Sequence, residues 1–121
     1  MKYTYWVIKP KDNKLEPLER TTQWELPEIY ETIGDGCNMM EIIRLSPILA
    51  NRGVDGLGKN VDVGDLNQRK IWQTFIKKHC MVVDEEFLIK NRTPAPNFLA
   101  TMMRMEPIHG VAIVTPWDSI D

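Results

Sequence analysis

The spacing of apolar residues changes repeatedly along this chain, and this change limits the possible folds more than any other feature. Apolar residues that alternate with polar ones indicate β-strands, whereas apolar residues three and four positions apart indicate helices. In chain order the pattern predicts strand, helix, strand, helix, hairpin, helix and strand. We therefore predict an α+β fold with a mostly antiparallel sheet of about four to six strands. About three helices should pack on one side of this sheet or at its ends.

The boundaries of the predicted elements follow from the same spacing and from prolines and glycines. Strands are predicted over residues 2–9, 15–18, 38–45, 80–83, 87–90 and 108–115. Helices are predicted over residues 26–33, 65–79 and 98–105. Pro17 confines the second strand to an edge of the sheet, because proline cannot donate a ladder hydrogen bond. Asn97 is predicted to cap the third helix, and residues 116–121 are predicted to form a polar tail.

Composition limits the size and the partners of the domain. The chain has 121 residues, of which 43% are hydrophobic, so residues 1–121 suit a single domain. Lysines and arginines number 15 against 17 aspartates and glutamates, and the formal net charge of −2 disfavours general attraction to nucleic acid. No apolar run approaches the roughly 20 residues that cross a bilayer, and the N-terminal segment is too short and polar for a secretory signal. We therefore expect a cytoplasmic protein with no membrane partner.

The glycine-rich segment 53–60 has the spacing of a phosphate-binding P-loop. In such a loop the backbone amides surround the phosphates and the lysine, here Lys59, reaches the outer ones. However, Asn60 occupies the position of the hydroxyl that holds magnesium, and the segment does not directly follow a predicted strand. A glycine-rich surface loop without phosphate is therefore the favoured interpretation.

The positions of the cysteines and histidines predict neither a metal site nor a nucleophilic site. The residues Cys37, Cys80, His79 and His109 lack the close spacing of a zinc site. Without a signal peptide, the two cysteines are expected to be reduced thiols. Adjacent residues of a strand point to opposite faces, so His79 is not placed to activate Cys80 as a nucleophile. We therefore predict no metal, no cofactor and no catalytic residue, and the sequence favours a protein that is not an enzyme.

Four residues are candidates for binding an anion. Lys59 would act in the glycine-rich segment. The other three, Lys90, Arg92 and Asn97, surround the start of the third predicted helix, where free N–H groups favour negative charge. A basic loop exposed to solvent is the favoured alternative.

The third predicted helix carries candidates for binding a partner protein. Met102, Met103 and Met105 give it more flexible apolar surface than a short helix needs. Methionines on a helix usually fill the core, which is the favoured interpretation, but they also form adaptable binding patches. The apolar excess on this helix is also compatible with a homodimer.

Three tryptophans are further candidates for contact with a partner, because tryptophan is enriched among the residues that dominate binding energy. These are Trp6, Trp24 and Trp117. Trp117 is the one expected to be exposed, since it follows a proline near the end of the chain.

Several short segments of apolar strand residues and turn residues together resemble the sequence pattern of one protein family. The segments are residues 33–36, 40–45, 81–86 and 108–114, together with Asn91, Pro96, Asn97 and Ala100. They cover about half of the chain and resemble a small uncharacterised domain family of bacteriophages, plasmids and other mobile elements. Against this family, residues 46–79 look like an insertion that contains the glycine-rich segment and a helix. The resemblance implies a phage-type accessory protein in the host cytoplasm and carries over no reaction.

These observations lead to one hypothesis and two alternatives. The hypothesis is a non-enzymatic phage-type accessory protein that binds a host or defence-system component, either a protein or a nucleotide signal, and inhibits or sequesters it. The first alternative is a small enzyme that holds a phosphorylated substrate with Lys59 and Arg92. The second is a nucleic-acid-binding protein, disfavoured by the net charge, that uses the basic face of the second predicted helix: Arg69, Lys70, Lys77 and Lys78.

Overall fold

The computed structural model describes residues 2–34, 36–37, 39–47, 66–85 and 94–120. In these residues the sheet has five strands: β1 Tyr3–Ile8, β2 Leu18–Arg20, β3 Met40–Arg44, β4 His79–Asp84 and β5 Ala112–Pro116. The helices of the same part are α1 Leu26–Ile33, α2 Leu66–Lys78, α3 Phe98–Arg104 and a 3-10 helix at Trp117–Ser119. The strands lie in the order β2-β1-β5-β4-β3, and all neighbours are antiparallel. The predicted α+β class is confirmed.

Helices cover both faces of this sheet. One cluster of buried residues joins β4 and β5 to α2 and α3, and a second cluster joins the opposite face of the same strands to α1. Val114, for example, belongs to the first cluster, while its neighbour Ile113 belongs to the second. The expectation of helices on one side or at the ends is therefore wrong, because central strands that are apolar on both faces need cover on both. We call the two sides the α2/α3 face and the α1 face.

The last strand begins later than the sequence predicts, and Gly110 gives the reason. Its φ of 81° lies in the left-handed region, which interrupts a regular strand. Its N–H donates to the carbonyl of Ala95 at 2.8 Å. A Cβ at this position would lie 3.2 Å from Cβ of Pro94, so the positive φ and the close approach of the two segments both favour glycine. Regular pairing starts only at Ala112.

Other boundaries differ by a few residues. β2 lies at the edge of the sheet, as predicted, but it begins just after Pro17 and not at residue 15. α2 ends at Lys78 because His79 already pairs in β4. The predicted strand over residues 87–90 and the predicted start of the second helix at residue 65 lie outside the described residues.

Arg20, at the end of β2, connects the edge of the sheet to the start of α1 through an ion pair and a cation–π contact. Its Nη2 donates to both carboxylate oxygens of Glu28, at 2.9 and 3.0 Å, and its guanidinium lies 4.0 Å above the ring of Trp24. The carboxylate of Glu28 also accepts the backbone N–H of Glu25 at 3.1 Å, as part of a capping box. Both hydrogen bonds lower the pKa of Glu28, and the one from the N–H of Glu25 has the larger effect, followed by the one from Arg20.

The predicted polar tail is packed in the described residues. Trp117–Ser119 forms a turn of 3-10 helix, and Ser119 is fully buried. The hydroxyls of Thr115 and Ser119 are 2.6 Å apart, and the carbonyl of Ser119 accepts the N–H of Trp24 at 2.7 Å. The chain end is therefore tied to the α1 face up to Ile120, which pairs with Trp24 in an isolated bridge.

Asn97 joins three parts of the fold from a fully buried position. Its Oδ1 accepts the N–H of Ala100 at 3.1 Å, which confirms the predicted cap of α3. Its Nδ2 donates to the carbonyl of Ile8 at 2.9 Å and to the carbonyl of Gly110 at 2.8 Å. One side chain therefore provides hydrogen-bond partners for the start of α3, the end of β1 and the turn before β5.

We predict that Asn97→Ala lowers the free energy of unfolding by about 3 kcal/mol, because a cap is lost and two buried carbonyls lose their donor. Urea denaturation of the variant and the parent measures this change. The control is Asn13→Ala, the same substitution at an exposed site, which should change stability by less than about 0.5 kcal/mol. A loss of that small size in Asn97→Ala would contradict the proposed role of this side chain.

Candidate functional site

The predicted anion-binding residues do not form a site in the described part of the chain. Lys59, Lys90 and Arg92 lie outside the described residues, as does the glycine-rich segment, so their role stays a prediction. Asn97 is described, and its buried side chain is engaged in the three hydrogen bonds given above. The side chain of Asn97 is therefore used within the fold.

The three methionines of the predicted partner site have different surroundings. Met103 is 1% exposed and belongs to the core cluster of the α2/α3 face. Met102 is half-buried and packs against the same cluster. Met105 is half-buried and takes the left-handed conformation that ends α3, with φ of 62°. The most exposed apolar side chain of this helix is instead Phe98, at 70%.

Two of the three tryptophans are structural. Trp24 is buried on the α1 face, and its indole N–H donates to the hydroxyl of Thr115 at 3.1 Å. Trp6 is half-buried on the α2/α3 face, where it contacts Phe75 and His79 at ring-centre distances of 5.3 and 5.6 Å. These contacts hold both rings inside the fold.

His79 and Cys80 face opposite sides of β4, as the sequence predicts. The ring of His79 stacks on Phe75 at 4.0 Å between centres, and its Nδ1 donates to the carbonyl of Phe75 at 2.9 Å. Partial burial lowers the pKa of His79, the hydrogen bond to Phe75 opposes this shift, and the charge of Lys78 adds to it. Cys80 is fully buried in the cluster of the α1 face, and burial raises its pKa to about 12. A thiol that stays protonated is a poor nucleophile.

We predict that the fold loses stability between pH 7.5 and pH 5.5. In the unfolded chain His79 takes up a proton near pH 6.5, whereas the folded protein keeps its ring neutral to a lower pH. The contribution of His79 to stability is therefore fully present above pH 6.5 and is lost as the pH falls through the pKa of the folded state. Urea midpoints at the two pH values measure the loss. In His79→Phe, which keeps a stacked ring without a titrating group, the difference between the two midpoints should shrink. An undiminished difference would show that other groups cause it.

Two other kinds of feature are absent from the described residues. No group of three or more His, Cys, Asp or Glu side chains in this part is arranged to hold a metal ion. None of the described helices is long and apolar enough to cross a membrane.

The geometry around Trp117 defines a groove, which we call the Trp117 groove. Its volume is about 470 Å³, and its lining residues are Arg44, Leu45, Pro47, Ile76, Lys77 and Trp117. The strand register explains how these residues meet. Arg44 pairs with Cys80 and His79 pairs with Pro116, so the ends of β3 and β5 flank the start of β4. The last turn of α2 directly precedes β4 and closes the groove.

The charge of this groove is opposite in sign to the net charge of the whole chain. Arg44 and Lys77 line it, and its described lining contains no carboxylate, although the whole chain carries a net charge of −2. Trp117 is 38% exposed, which agrees with the exposure that the sequence predicts for it. The sequence did not indicate Arg44 or Lys77 as its neighbours, because they lie far from it along the chain.

The basic face of α2 is only partly described. Lys70, Lys77 and Lys78 are exposed, while the side chain of Arg69 lies outside the described residues. A role in binding nucleic acid therefore stays a prediction, as does a homodimer.

Comparison of the chain with protein-family models, with curated proteins and with solved structures finds no match. The resemblance to the phage and plasmid family therefore stays an expectation from the sequence.

Proposed function

We propose that this chain is a non-enzymatic accessory protein, of the type expected in phages, that binds a host or defence-system protein and inhibits or sequesters it. The Trp117 groove is the proposed binding site. One observation carries the proposal: an exposed tryptophan stands beside two cations in a groove whose described lining contains no acidic residue.

The composition of the groove suits a protein partner. Tryptophan and arginine are enriched among the residues that dominate binding energy in protein interfaces. Trp117 offers a large flat surface, and Leu45, Pro47 and Ile76 supply an apolar wall. The exposed tryptophan beside an arginine therefore favours a protein segment over a nucleotide signal.

The charge of the groove indicates the chemistry of the partner. Arg44 and Lys77 would attract carboxylates, since complementary charge speeds association and excludes partners of like charge. We therefore propose an acidic segment of the partner protein with one apolar side chain, which packs against Trp117 while its carboxylates contact the two cations.

The backbone that carries Trp117 is held by hydrogen bonds within the fold. The 3-10 helix that carries it follows directly from β5, and the buried hydroxyl of Ser119 donates to the carbonyl of Pro116 at 2.6 Å. A side chain held on a rigid element loses less conformational freedom on binding, which favours affinity.

The experiment is capture of host proteins by the full chain, followed by measurement of affinity for the purified partner. We predict that Trp117→Ala and Lys77→Glu each weaken binding at least about tenfold. Phe98→Ala is the control for the first variant, because it removes another exposed aromatic ring outside the groove. Lys78→Glu is the control for the second, because this neighbouring lysine is exposed but does not line the groove.

The pattern across these four variants decides the result. Both control variants should bind the same partner with the affinity of the parent chain. If all four variants bind it equally well, the Trp117 groove is not the binding site. If Lys77→Glu and Lys78→Glu weaken binding equally, the attraction is a general charge effect.

A further inference from the structure

We propose that a second cavity, at the opposite end of β5, binds a small organic phosphate. This site is separate from the Trp117 groove, and the proposal does not depend on protein binding there. Ala112 at the start of β5 pairs with Ile8, whereas Pro116 at its end pairs with His79. The chain that follows Ile8 therefore lies at the end of the sheet away from Trp117.

The cavity forms where β1 and β2 separate. These strands pair from Tyr3 to Tyr5, and the connection between Lys9 and Pro17 then leaves the sheet. Asp12 shapes this connection, because its carboxylate accepts the N–H of Lys9 at 2.8 Å and its own N–H donates to the carbonyl of Lys9 at 3.0 Å. The volume of this open cavity is about 600 Å³, within the range of roughly 300–1,000 Å³ typical of small-molecule sites.

The rim of the cavity carries an excess of positive charge. Lys9, Lys11 and Lys14 line it together with Asp12 and Glu16. Glu16 pairs with Lys14 at 3.1 Å, and the carboxylate of Asp12 is held by a backbone N–H. In the described part of the chain Lys9 and Lys11 form no ion pair, so two ammonium groups remain for a ligand.

The floor of the cavity is apolar. Leu18 lies opposite Tyr5 in the β1 and β2 pair, and Val7 lies two residues beyond Tyr5, so the pleat places all three side chains on the α1 face. Leu18 is 44% exposed and Val7 is half-buried. The side of the cavity next to α1 is formed by Thr32.

An apolar floor under a cationic rim selects a particular class of ligand. A phosphate group would contact Lys9 and Lys11, because lysine binds phosphate as a point charge. A flat or apolar body attached to that phosphate would cover Val7 and Leu18. Inorganic phosphate has no apolar part to cover the floor, which would stay exposed to water. An uncharged nucleoside has no phosphate to contact the two lysines. The geometry therefore points to an organic phosphate that has both parts.

The test is calorimetric titration of the full chain with four probes: AMP, phenyl phosphate, adenosine and inorganic phosphate. We predict that AMP binds with a dissociation constant of about 1 mM or less, and that adenosine and inorganic phosphate bind at least about tenfold more weakly. Equal binding of phenyl phosphate supports a site for organic phosphates in general. Weaker binding of phenyl phosphate supports a site for nucleotides.

Two double variants test the role of the rim. Lys9→Ala with Lys11→Ala should weaken AMP binding at least about tenfold. Lys70→Ala with Lys78→Ala, which removes two exposed lysines of α2, should leave it unchanged. NMR spectra of each variant check that the fold is retained, as expected for exposed residues.

Three results would overturn the proposal. The first is no binding of AMP or phenyl phosphate. The second is equal weakening by the two double variants, which would show attraction to net charge alone. The third is inorganic phosphate that binds as tightly as AMP, which would exclude a contribution from the floor.

Discussion

Burial of β4 and β5 on both faces is the constraint on which the rest of the structure depends. Alternate residues of β4 and β5 belong to two separate clusters, so both faces of these two strands are shielded from water. The helices must therefore divide between the two faces, with α2 and α3 on one and α1 on the other. The Trp117 groove and the cavity beside Lys9 both lie at the ends of strands and around the connecting segments.

Both proposed binding surfaces are positively charged, although the chain as a whole is negatively charged. The chain has a net charge of −2, yet the Trp117 groove presents Arg44 and Lys77, and the other cavity presents Lys9 and Lys11. Each pair lies next to apolar side chains at the end of a strand. Their separation at opposite ends of β5 means that a partner at one site need not cover the other.

The sequence predicts the elements whose pattern is local. α1 and the cap at Asn97 were predictable because their signals are a few residues apart, and the edge position of β2 was predictable from Pro17. The cover on both faces was not predicted, because spacing shows that a strand is apolar on two sides but not which helix packs on each. The Trp117 groove was not predicted either, since the strand register brings together segments that are distant along the chain.

The two thiols lie in the same buried cluster on the α1 face, at 8% exposure for Cys37 and 0% for Cys80. An alkylating reagent in solution can therefore reach Cys80 only when the layer formed by α1 and the chain end opens. Cys80 follows His79 at the start of β4, an interior strand of the sheet, so its modification rate would report how often the inside of the sheet becomes accessible. The protein thus contains a natural probe for the transient opening of its own centre.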